Sequence, residues 1–95
     1  LMPAKSSIGA TALQLVSVPT QVISGTLIKA DAGNGTGKVY VGLSGAVTAG
    51  TDDLTDGMQL SSGDPIFISH AQAPDASQIW VIGSTTGLRV FFEVF

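Results

Sequence analysis

The residues of this chain with the most chemical potential are few. His70 is the only histidine; Ser69 precedes it, and Asp64 and Asp75 stand nearby in sequence. A serine, an imidazole and an orienting carboxylate are the parts of a hydrolytic triad. Neighbouring residues of a strand point to opposite faces, so Ser69 and His70 diverge if their segment is extended. No motif ties either carboxylate to the ring, so no catalytic residue is assigned and the chain is read as a non-enzyme. Asp52, Asp53 and Asp56, with Gly57, offer oxygen ligands of the kind calcium takes, but they lack the alternating register and closing glutamate of an EF-hand. The loop from Asp52 to Asp56 is therefore read as acidic and solvated. One histidine and no cysteine leave nothing for zinc or a disulfide. Neither a metal nor a cofactor is expected.

The run Gly33-Asn34-Gly35-Thr36-Gly37-Lys38 invites a phosphate-loop reading. Its glycine spacing fails, Val39 stands where Ser or Thr is required, and a strand follows where a helix should. It is read as a mobile hairpin tip, and Asn34-Gly35-Thr36 as a turn rather than a glycosylation site. Trp80 and Tyr40 could stack on sugar rings, but both fall in apolar strand patterns and are expected to belong to the core.

The elements that position these residues are strands. Glycine recurs every few residues, and the apolar runs are short, β-branched and bounded by turn formers. The fold class expected is all-β: a small antiparallel sandwich or barrel of about six strands, at residues 11–18, 22–30, 38–43, 66–71, 78–83 and 88–94. Tight connections predict consecutive antiparallel pairing. Residues 44–65 read as a long crossover with one short strand at 58–60. Residues 1–9 show no secretory pattern and are read as an arm, and residues 10–95 as a single domain.

Of the 95 residues 12% are charged, about half the usual share, and the net charge is −3. Four cations cannot neutralise a series of phosphates, so nucleic acid is not an expected partner. No apolar run reaches the roughly 20 residues of a membrane helix, and no membrane is expected either. So small a domain buries only about two-thirds of its unfolded surface. With few charges to desolvate, association with copies of itself or with a host surface is expected.

Alternation along the strands predicts which residues meet such a partner. Val39, Val41 and Leu43 share a core face, as do Leu88, Val90, Phe92 and Val94. This leaves Arg89, Phe91, Glu93 and Phe95 together on the opposite side of the last strand. Aromatics beside arginine are enriched where another subunit covers them, so these four are the candidate interface residues. A second layer of the same domain is the alternative cover. Residues 79–82 are apolar on both faces, so this strand, centred on Trp80, is expected to be the most buried.

The segment Lys38-Val39-Tyr40-Val41-Gly42-Leu43-Ser44-Gly45-Ala46-Val47-Thr48-Ala49, followed by Leu54, Leu60, Gly63 and Ile79-Trp80-Val81-Ile82-Gly83-Ser84, resembles small virion proteins of tailed bacteriophages. There a "VYVG…VTA" strand and turn precede an "I(Y/W)VIGS" strand. The likeness spans about residues 38–92 and is to capsid decoration (cement) or other head-associated components. It implies a virion structural protein on the phage head surface, bound to the major capsid protein lattice by multivalent contacts and arranged as a homotrimer at three-fold positions. It implies no catalytic or ligand residue. The competing functions are a receptor- or glycan-binding module of a head or tail fibre, and a neck or tail component.

Overall fold

Short β-branched runs ending at Gly, Pro, Asn or Asp become strands here because their side chains pack on a pleated surface and their boundaries tolerate sharp turns. A computed structural model describes residues 3–51 and 54–95. It contains eight strands, rather than six: β1 (Ala4–Ile8), β2 (Leu13–Gln14), β3 (Gly25–Ala30), β4 (Val39–Gly42), β5 (Met58–Leu60), β6 (Pro65–Ser69), β7 (Trp80–Gly83) and β8 (Leu88–Val94). Sheet A has the order β1-β8-β3-β6 and sheet B the order β2-β7-β4-β5, all neighbours antiparallel. The two face each other as a β-sandwich.

Consecutive pairing is corrected by this topology. Only β4 and β5 are neighbours both in sequence and in a sheet; every other connection carries the chain to the opposite sheet. Residues 31–38 are accordingly a crossing between sheets and no hairpin tip. A single 3-10 turn at Ala32–Asn34 shapes this crossing, with the Asp31 carboxylate accepting from the Gly33 N–H. Asn34 then continues the ladder beyond β3: its amide nitrogen donates to the Arg89 carbonyl at 2.9 Å, and its oxygen accepts from the Arg89 N–H at 3.0 Å.

Residues expected as an arm supply β1, the edge strand beside β8. Register shifts between Lys5 and Ile8, where an extra residue forms a bulge and Ser7 adopts φ 58°. The bulge reverses side-chain parity, so Ile8 turns inward opposite Leu88 and is fully enclosed. The expected strand at 11–18 shrinks to Leu13–Gln14, paired with Val81 and Trp80.

The core lies between the sheets. Ile28, Ala30, Val90 and Phe92 from sheet A meet Val39, Val41, Leu60 and Val81 from sheet B, with Leu15 and Ile79 closing one end. Burying a side chain of this size contributes about 1.5–3 kcal/mol. The alternation expected for β8 holds for Leu88, Val90 and Phe92, which are buried, and Val94, which is half-buried. Leu43 departs from it: β4 ends at Gly42, and Leu43 is 50% exposed. Trp80 departs too, being only half-buried while Ile79 and Val81 are enclosed, because it points away from the inter-sheet core.

Candidate functional site

The outer faces of the two sheets have different fates. Across sheet B, the connection after β4 folds back as a partial third layer. Val47 packs on Gly42 so closely that a methyl group there would lie 2.6 Å from it, and Gly45 lies against the Trp80 ring. Thr48 pairs with Asp56, whose carboxylate also accepts from the Thr48 hydroxyl and the Thr51 N–H. Val47 and Ile82 are consequently only 7% and 8% exposed although they sit outside the sandwich core. Trp80 and Tyr40, the candidate sugar platform, are half-buried on this same face.

Nothing among the described residues covers the outer face of sheet A. Strand register sets its side chains in rows: Phe67, Leu27 and Glu93 lie side by side, and Pro65, Lys29, Phe91 and Ala4 form the next row. Phe67 is 51% and Phe95 50% exposed, Ile23 beside the Phe95 backbone is 78% exposed, and Leu27 and Phe91 are half-buried. The candidate interface residues Arg89, Phe91 and Glu93 share this face, and Phe95 continues it one residue beyond β8. The two-layer alternative, an intramolecular cover, is absent among the described residues.

Arg89 is fixed from two sides. Its guanidinium pairs with Asp31 at 2.6 Å and lies over the Phe91 ring, 5.2 Å from the centroid. The Gly33 N–H bond and then the Arg89 side chain hold the Asp31 carboxyl below the usual carboxylate range. This is the only ion pair among the described residues. The side chains of Lys29 and Glu93 are exposed and have no hydrogen-bond or ion-pair partner among the described residues. Leu27, Lys29 and Phe67 were not singled out from sequence. Alternation in residues 22–30 and 66–71 would have placed them outward, but only the pairing of β3 and β6 shows that they join the Arg89 strand in one surface.

Phe67 also explains Gly25. The phenyl ring lies where a Cβ of Gly25 would stand, and the Ile68 carbonyl oxygen would be 2.7 Å from that atom. An aromatic ring laid over a strand glycine replaces the packing the glycine lacks.

The remaining candidates are not brought together. β6 ends at Ser69, whose hydroxyl and N–H both donate to the Gln72 side chain, and His70 lies beyond it, exposed. Asp64 accepts from the Ser61 N–H at the other end of β6. Asp75 accepts from the Thr20 N–H and from both the N–H and hydroxyl of Ser77, capping the short turn at Ala76–Gln78. These bonds, that of Thr20 foremost, hold its carboxyl below the ordinary range. No hydrogen bond joins either carboxylate to His70. Asp52 and Asp53 lie outside the described residues, and among those described no three metal-ligating side chains gather. No helix of the described residues is long and apolar enough to cross a membrane.

The chain matches no known protein family, and neither a curated protein nor a solved structure shows significant similarity to it.

Proposed function

We propose that this chain is a docking subunit of the capsid decoration kind, a structural protein of a phage head that works by adhering to other protein surfaces and transforms no substrate. One observation supports it above the others: the sandwich partly roofs the outer face of sheet B with its own chain, while on sheet A Phe67 and Phe95 are exposed and Leu27 and Phe91 only half-buried. An exposed face that mixes apolar and aromatic side chains with a few charges has the make-up of a protein interface. The likeness of residues 38–49 and 79–84 to phage head components supplies the setting. On a repeating lattice, modest contacts made many times give high avidity.

The test is cosedimentation of the purified chain with phage heads that lack it. Saturable binding at a fixed ratio to capsid protein, lost in Phe67→Glu, is expected. Failure to bind heads, together with saturable binding to a glycan array that Trp80→Ala abolishes without unfolding the chain, would replace this reading with the glycan-binding one.

A further inference from the structure

We propose that the bare face of sheet A is closed by a second copy of this chain, packed face to face across a two-fold axis. The inference rests on reading that face as a docking surface and names its partner in the free chain, where head and second copy compete for it.

The argument is the arrangement of four side chains at its centre. Leu27 pairs with Glu93 across β3 and β8, and Lys29 pairs with Phe91. The four therefore occupy the corners of a block about 7 Å along the strands and about 5 Å across them. The apolar residues Leu27 and Phe91 lie on one diagonal, the charged residues Lys29 and Glu93 on the other. A two-fold axis in the plane of the sheet, along the apolar diagonal, carries each charged corner to within about 3 Å, in projection, of the other. It brings Lys29 of each copy over Glu93 of the other, twice, while Leu27 and Phe91 meet their own counterparts near the axis. An isologous contact requires such self-complementarity. Both charges lack a partner within the described part of the chain, so pairing across the axis breaks no existing bond.

The surroundings agree with this occupant. Phe67 and Phe95 flank the block with exposed apolar area, and the Phe67 ring occupies the space beside Gly25. Arg89, held by Asp31, stands further along β8 at the rim. A standard interface takes roughly 800 Å² from each partner, about one sixth of the 5089 Å² surface of this chain. A four-stranded face is of that order. Sheets stacked face to face pack about 10 Å apart.

Charge reversal in pairs tests the contact on the full chain by sedimentation equilibrium. The unaltered chain is expected to form a dimer whose dissociation is read from the concentration dependence of its mass. Lys29→Glu places two like-charged contacts across the axis, as does Glu93→Lys, and each alone is expected to weaken self-association at least about tenfold. An equimolar mixture of the two variants is expected to form a heterodimer near the original strength, because both contacts become attractive again. The Lys29→Glu/Glu93→Lys double variant is expected to regain its own dimer. Circular dichroism of each variant separates loss of contact from loss of fold, and recovery on mixing cannot arise from unfolded chains. A monomer at all concentrations, a trimer, or a dimer indifferent to both reversals would overturn the proposal. Head binding by a chain that stays monomeric would overturn this inference while leaving the docking reading in place. A charge-sensitive dimer that ignores heads would do the reverse.

Discussion

Thr26 offers a test of how the sandwich is built. It lies on the inward side of β3 between Ile68 of β6 and Val94 of β8, is 0% exposed, and its hydroxyl has no hydrogen-bond partner among the described residues. A buried hydroxyl without a partner costs about 1–3 kcal/mol of desolvation. Thr26→Val keeps the branched shape and exchanges the hydroxyl for a methyl group, so it should recover a gain of about 1–2 kcal/mol. In a domain of this size each kcal/mol moves the unfolding midpoint by about 4–8 °C. Thr26→Ser makes the opposite change, keeping the oxygen and deleting the methyl, and should lose about 1 kcal/mol through the cavity left behind. Thermal and urea unfolding followed by circular dichroism measure both variants, at two protein concentrations because self-association adds to apparent stability. A valine variant less stable than the original, with serine neutral, would refute the reasoning, since it would mean that the hydroxyl is satisfied in solution.

Two further outcomes follow from the packing and the carboxylates. Gly25→Ala would set its methyl group into the Phe67 ring and 2.7 Å from the Ile68 carbonyl oxygen, with an expected loss of about 1–3 kcal/mol in urea unfolding. Phe67→Ala in that background should restore only part of it; full restoration would show that the backbone contact is harmless. Asp31 and Asp75 both have folded-state values held below the ordinary one. Their contribution is complete above the unfolded carboxylate value of about 4 and is lost as pH falls through the lower folded values. The unfolding midpoint should therefore drop below about pH 4, less steeply in Asp75→Asn; a midpoint constant down to pH 2 would show that neither bond set matters.

Much of the strand content was legible because the side-chain period is visible in the residues. In Leu88–Val94 the apolar positions 88, 90, 92 and 94 recur at every second residue, and the structure places that strand at the expected bounds. Pairing was not legible, because turn chemistry marks where the chain reverses but not whether it returns to the same sheet. Asp31 and Asn34 serve a crossing between layers with the same residues that would serve a hairpin. β1 escaped notice for a different reason. Lys5 and Ile8 both oppose inward-facing residues although three positions apart, and only the bulge at Ser7 permits this departure from period two. The Trp80 environment likewise depended on a long connection whose scattered Val47 and small residues carry no periodic signal. Half of the candidate face was readable from β8 alone; the half from β3 and β6 needed the strand order.

That strand order has a consequence for how the molecule comes into being. The final strand sits inside sheet A, between β1 and β3, and Ala30 finds its ladder partner Val90 sixty residues later. A nascent chain on the ribosome thus holds β1 without a neighbour, and β3 with β6 alone, until β8 has been synthesised. Closing so long a loop comes before any reward from contacts, which places assembly on the millisecond-to-second scale typical of sandwiches. Through that interval β1 and the β8-facing edge of β3 are open to wrong partners.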